Sequence, residues 1–340
     1  MDIIFSLLVY VIFISIFFLG IRKDKSLSRD ECYRRLNGMR GIMALEIVIG
    51  HVVRYETSYL IPFGKFMLIG VGFFFFVSGW GLCKSFHEKP GYLDTFLRTR
   101  FGYLAGTALI ALAVISVVDI LSPVKTGYSS YSLELKAIVQ NIFVRTNWYI
   151  RELLLLYLVF YLIYKYMRKY QLAVLIGLTV VIAYGLYALG YVRCWYASIL
   201  SFPLGFLFYE NYFKIVQFFK SGKGLLLTLS LGVVGISSMF LNNNIFITAF
   251  ITNNALCVCA VIILTMFLSV FYIENPIKKF LNQYATEIFL FQFIFLTIAE
   301  TAGWNYWIRM VFVLGMDLLV SILAYPLMKL LKRVCNKVKA

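Results

Sequence analysis

The stretch LNGMRGIMALEIVIGHVVRYE, residues 36–56, carries Arg40, Glu46, His51, Arg54 and Glu56 within an otherwise apolar run. On a helix, Arg40 and His51 are eleven residues apart, which is three turns plus roughly 20°, so they share one face. Arg40 then stands at the mouth of that stripe, with His51 about 16 Å further along the axis. Ala44 and Ile47 fall between them, and one small residue there leaves room for a chain-like substrate. Guanidinium pairs bidentately with phosphate. Imidazole suits general acid–base work near neutral pH, and in its neutral form it can also accept an acyl group. A packed histidine bonded to a neighbouring helix is the alternative for His51. Glu46 points away from the stripe and is expected to pair with another helix.

The elements that hold these residues follow from composition. Apolar residues fill 61% of 340 positions and charged residues 14%, far from the balance of a soluble domain. Crossing a bilayer takes around 20 helical residues, and apolar runs of that length recur from end to end. Runs such as LVYVIFISIFFLG do not alternate as barrel strands must, so the fold class is all-α, a polytopic transmembrane helical bundle. About eleven spans are expected, near 2–21, 40–57, 64–83, 101–121, 148–166, 171–190, 195–212, 224–241, 246–272, 284–303 and 307–328. The run 246–272 is long for one crossing and is expected to tilt or bend near Asn253-Asn254. The second span, with its charges, does not belong in lipid and must lie inside the bundle.

The net charge of +16 is explained by topology, without nucleic acid. On the eleven-span reading 24 of the 32 Lys and Arg fall on one side, which places the C-terminus in the cytoplasm and the N-terminus outside. The first apolar run has its charges after it and no small-residue cleavage site, so it reads as a retained span. The six cysteines have no framework or zinc-site spacing, and no metal is implied. The richness in Phe, Ile, Tyr and Asn fits an AT-rich bacterial genome.

RRLNGMRGIMALEIVIGHVVRY resembles the opening signature of the membrane-bound acyltransferase-3 family, an Arg followed by ten residues and a His. GVGFFFFVSGWGL is similar to the family's aromatic-rich helix ending in Ser-Gly-aromatic. FLRTRFGYL matches its cytoplasmic arginine pair, which the family often spaces three apart whereas Arg98 and Arg100 are two apart. NWYIRELLLLYL matches a later helix opening with an aromatic and a Glu, through Trp148 and Glu152. YATEIFLFQFIFL places Gln292 where many members have His, so no acid–base role is assigned there. The resemblance covers roughly 34–300, and divides the chain into an extra N-terminal span with a basic loop, 1–33, and an acyltransferase-like ten-helix domain, 34–340.

The resemblance implies a multi-pass protein of the cytoplasmic membrane that moves an acyl group, usually acetyl from acetyl-CoA, onto a hydroxyl of a surface polysaccharide or lipid-linked glycan. The partners it implies are acyl-CoA, that sugar acceptor, membrane lipids and separate polysaccharide-assembly proteins. Arg40, Arg98 and Arg100 are the candidates for the anionic end of the donor, with Lys84 as a further one; positive-inside topology is the competing reason for Arg98 and Arg100. His51 is the candidate base or acyl carrier. Glu152 is the candidate to orient an imidazole or bind a sugar, against a local ion pair with Arg145 or Arg151. Trp148 and Tyr149 suit a sugar face or an interfacial belt, and Ser78-Gly79 close helix packing. Asp317, near mid-span, has no assigned partner. Some members carry a hydrolase-like outer domain, a step expected here of a separate protein. A transporter or flippase for a glycan intermediate or polar metabolite is the main rival, and a polysaccharide polymerase or a membrane scaffold stands behind it.

Overall fold

The apolar runs do fold as helices. The computed structural model describes residues 2–24, 28–54, 59–122, 124, 148–237, 240–241 and 245–337. Glu56, Arg145 and most of the segment 122–147 lie outside them. In chain order the helices are α1 (Asp2–Phe18), α2 (Arg29–Asn37), α3 (Arg40–Val53), α4 (Ile61–Glu88), α5 (Tyr92–Phe96) and, after a π-helical turn at Leu97–Phe101, α6 (Gly102–Leu121). There follow α7 (Trp148–Tyr166), α8 (Gln171–Ala188), α9 (Ser201–Phe219), α10 (Gly222–Ser237) and α11 (Phe246–Val270). The chain closes with α12 (Pro276–Gln283), α13 (Ala285–Thr301) and α14 (Tyr306–Lys337).

Helix occupies part of every interval read from the sequence as a span. Length and composition qualify fewer of them as crossings. Among the described residues six helices are long and apolar enough, or up to eight if the bent pairs α9–α10 (101°) and α12–α13 (70°) each count as one. The N-terminal helix is a shorter apolar one. Helix α11 runs unbroken through Asn253 and Asn254, and the Asn254 side chain bonds both its own helix, at the Phe250 carbonyl (2.9 Å), and the segment before α9. Its amide bonds the Tyr196 carbonyl (3.1 Å) and its carbonyl accepts from the Leu200 amide (3.0 Å).

The α2–α3 rod is the most enclosed, with 72% of its apolar window buried, against 28% for α5–α6 and for α14. A charged helix is thus kept from lipid by a jacket of apolar ones. The α4–α9 contact is made by two glycines: a Cβ at Gly79 would meet the Phe202 carbonyl at 2.0 Å, and one at Gly205 the Phe76 carbonyl at 2.3 Å. Backbones approach this closely only where both lack side chains. Gly41 does the same for α12, where a Cβ would meet Leu281 backbone at 2.3 Å.

One end of the bundle is basic and braced. Strand β1 (Ile21–Lys23) pairs antiparallel with β2 (Phe271–Ile273), so α1 is stitched to the segment between α11 and α12. Asn275 bonds the carbonyls of Ile16 and Leu19, both at 2.9 Å. Arg35, only 2% exposed, donates to Glu31 (3.0 Å), to the Leu268 carbonyl (3.1 Å) and to Asp24.

Candidate active site

Beside that brace the basic end is hollow. A vestibule of about 1210 Å³ opens there, lined by Arg40, Lys89, Arg100, Lys329, Lys332 and Arg333 among others. Glu287 is the one acid among the described residues that line it. An inner cavity of about 410 Å³ continues from it, and Arg40, Lys89, Arg100, Tyr103, Thr286 and Lys332 line both, which makes them the neck. The inner cavity is walled by Ser78, Leu153 and Tyr157 and by the rings of Phe74, Tyr149 and Phe289. Those rings come from α4, α7 and α13 and stand 5.1–6.2 Å apart, centroid to centroid.

Local sequence explains the placements. Thr286, Phe289 and Phe293 recur at three and four residues, one stripe of α13. That stripe passes from the neck to the chamber rings and then, one turn or about 6 Å further, to His51. The His51 ring packs edge-on against Phe293 at 4.7 Å. Helices α3 and α13 therefore run in the same direction, each carrying its part of the path away from the basic end.

Arg40 is where the spacing placed it, at the mouth, with its Nε turned to the Asn37 carbonyl at 3.3 Å. His51 is on the same stripe, but it does not line either cavity, nor do Ala44 and Ile47. The open path runs along α4, α7 and α13 instead, where Phe74, Tyr149 and Phe289 line the inner cavity and His51 does not. The imidazole is held from its own helix, with Nδ1 3.1 Å from the Ile47 carbonyl. A carbonyl only accepts, so Nδ1 carries the proton, and the lone pair of the neutral ring sits on Nε2.

Arg100 lines both cavities and Arg98 neither. Residues two apart on a helix do not share a face, so a pair spaced this way sends only one member inward. Their turn is π-helical, a local widening frequent at functional sites. Lys84 lines the inner cavity but is already engaged, donating to Asp30 (2.6 Å) and Glu88 (2.7 Å).

Glu152 is 1% exposed, and among the described residues neither carboxylate oxygen has a hydrogen-bond partner. It does not hold His51, whose Nδ1 is satisfied by backbone. The local ion pair is not formed with Arg151 either, because that guanidinium lies over the Trp195 ring at 4.6 Å. Glu46 is likewise buried without a hydrogen-bond partner among the described residues. The expected pairing with another helix is not formed; the carboxylate lies against Gly70 of α4, where a Cβ would lie 2.6 Å from its Oε2. Trp148 packs on Trp195 at 5.9 Å, while Tyr149 faces the cavity. Asp317 is 1% exposed, with Oδ1 unpartnered among the described residues, and the structure offers no ligand-facing role for it. No cluster of three or more His, Cys, Asp or Glu able to hold a metal ion occurs among the described residues.

Sequence reasoning missed Tyr103, Tyr157 and Thr286, whose types carry no signal in a chain with 24 tyrosines. It also assigned Lys329, Lys332 and Arg333 to topology alone, although their spacing of three and one places them on one helix face.

The model of one protein family, described as an acyltransferase domain, matches residues 33–326. No curated protein and no solved structure matches the chain.

Proposed function

The chain belongs to the membrane acyltransferase-3 family, whose model spans 33–326, and from that premise we propose that it is an O-acyltransferase using cytoplasmic acyl-CoA. The acyl group, acetyl by family habit, goes to a hydroxyl of a surface polysaccharide or lipid-linked glycan on the other side of the cell membrane. The basic end is the cytoplasmic one in this reading, with the N-terminus outside. The observation that carries it is the two-part cavity: a cationic vestibule that shares Arg40 and Arg100 with a smaller chamber, whose wall residue Phe289 lies one turn along α13 from Phe293, the ring packed on His51.

That arrangement suits an acyl-CoA. Its nucleotide end bears several negative charges, which the vestibule arginines meet with charge-assisted bonds. Its pantetheine arm is narrow and partly apolar, matching a chamber walled by Leu153, Tyr157 and Phe289. The thioester then lies against the chamber rings, one helical turn short of His51. Movement of one ring, Phe289 being the nearest to the histidine along its helix, opens the last step.

At that step Nε2 of His51 takes the proton of the acceptor hydroxyl. The oxygen attacks the thioester carbonyl, the carbon–sulfur bond breaks, and the thiolate leaves with the proton returned by the imidazolium. The products are the O-acyl ester and free CoA. A two-stage route is equally balanced, in which Nε2 attacks the thioester and the acyl-imidazole is opened by the hydroxyl. In this reading Glu152, a buried carboxyl one turn along α7 from Tyr149, meets the acceptor rather than the imidazole.

Radiolabelled acetyl-CoA, with protein in nanodiscs, tests this. Wild type is expected to bind the donor and hydrolyse it slowly, His51→Ala to bind without turnover, and Arg40→Ala to bind weakly. A wild type that ignores acyl-CoA, with both variants indistinguishable from it, overturns the reading and favours transport of a glycan intermediate.

A further inference from the structure

The last turns of α14 lie beyond residue 326, where the family match ends, yet they form one wall of the vestibule. Tyr325, Met328, Lys329, Lys332, Arg333 and Asn336 all line it. Their spacing of three, one, three, one and three residues is a single helical stripe. The opposite face carries Leu330 and Val334, 57% and 56% exposed, the pattern of a surface turned to lipid.

Positive-inside topology requires cations at this end of the helix. It does not require them on one stripe, nor facing a cavity. Lys329, Lys332 and Arg333 have no ion-pair partner among the described residues, and across the vestibule stand Arg40 and Arg100, with only Glu287 as an acid. Like charges gathered around an enclosed space repel, so the arrangement is favourable when a multiply charged anion occupies it. Lys332 reaches the neck, lining both cavities, whereas Lys329 and Arg333 line the vestibule alone.

We propose that Lys329, Lys332 and Arg333 form a second phosphate-binding wall, which takes the phosphate groups of the donor's nucleotide end that lie farthest from its thioester. The proposal rests on the acyl-CoA reading above. Arg40 and Arg100, at the neck, hold the diphosphate next to the arm, and the α14 wall holds the terminal phosphomonoester. The same chemistry would bind the phosphate of an anionic lipid headgroup, and the test separates the two sources.

Binding of CoA and of dephospho-CoA, which lacks the terminal phosphomonoester, is measured on the full-length protein. Nanodiscs of zwitterionic lipid alone and with anionic lipid added are compared. Wild type is expected to prefer CoA by about tenfold or more, as charge-assisted bonds to one phosphate warrant, in both lipid compositions. K329A/K332A/R333A is expected to lose that preference while keeping its affinity for dephospho-CoA within about threefold. Lys332 is exposed, so Lys332→Glu and Lys332→Arg serve as folding-neutral checks, the first expected to abolish the preference and the second to keep it. If wild type binds CoA and the triple variant retains the preference, the wall does not hold the donor and the proposal is overturned. It is also overturned if added anionic lipid alone suppresses the preference, since the cations then serve headgroups. A wild type that binds neither nucleotide overturns the acyl-CoA reading itself, a result distinct from both.

Discussion

Two neighbouring regions of the basic end are built from the same residue types and behave oppositely. In the brace around α2, β1 and β2 the cations are consumed by the protein: Arg35 meets Asp24, Glu31 and a backbone carbonyl, and Lys278 donates to the Ile273 carbonyl at 2.6 Å. In the vestibule Arg40 commits only its Nε, to the Asn37 carbonyl, and it faces open space with Arg100, Lys329, Lys332 and Arg333 and a single acid among them. Topology accounts for the sign of both groups. Pairing is what separates them, because a cation whose donors are satisfied holds structure and one left facing a cavity awaits a ligand.

The sharpest way to break this comparison is to exchange the outcomes. Arg35→Ala removes the buried guanidinium that ties Asp24 and Glu31 to the Leu268 carbonyl, and charged hydrogen bonds of this kind contribute about 1.5–3 kcal/mol. A large fall in the detergent melting temperature is expected; an unchanged melt would show that the brace is not structural. Arg100→Ala is expected to leave the melt alone and to weaken acyl-CoA binding by about tenfold to a hundredfold, the range of charged hydrogen bonds. Arg98→Ala, one turn-face away, is expected to stay within about twofold, and equal effects of the two would refute the inward–outward split.

Phe289→Ala removes the chamber ring one turn along α13 from Phe293, the ring packed on His51. Turnover of butyryl-CoA relative to acetyl-CoA is expected to rise several-fold, as one or two methylenes change pocket discrimination by about tenfold each. An unchanged ratio would move the acyl-selecting contact elsewhere. The smallest effect is expected of Lys84→Ala. Its partners Asp30 and Glu88 are partly exposed, and such pairs contribute about 0.2–1 kcal/mol, so neither melt nor donor affinity should move by much.

Much of the molecule was legible in the chain. Apolar runs of helical length marked where every long helix lies, since backbone polar groups in lipid have no other partner. The charges of residues 40–56 marked α3 as an inner helix, and it is enclosed by apolar neighbours. The Arg40–His51 stripe was readable because helical period is local. Less was legible about crossings: the break between α9 and α10 falls at Ser221-Gly222, a turn signal, but its 101° angle, which decides whether the pair makes one crossing or two, is not read from residue types.

The functional contrast was hidden because it depends on what stands opposite. Arg98 and Arg100 are equivalent as composition, and only the turn of their helix against α3 and α14 brings one to the neck. Glu152 looked like a partner for an imidazole, yet His51 is satisfied by its own backbone. Lys329, Lys332 and Arg333 looked like topology, and tertiary packing set them around a cavity. The sequence by itself determined which segments are helical, which helix avoids lipid and where positive charge collects, all consequences of transfer free energy along one segment. Only the tertiary structure decided which cations are paired, which rings line the chamber and which ring packs on the histidine. Those are distances between segments far apart in the chain, and a helix's own periodicity holds no record of its neighbour's face.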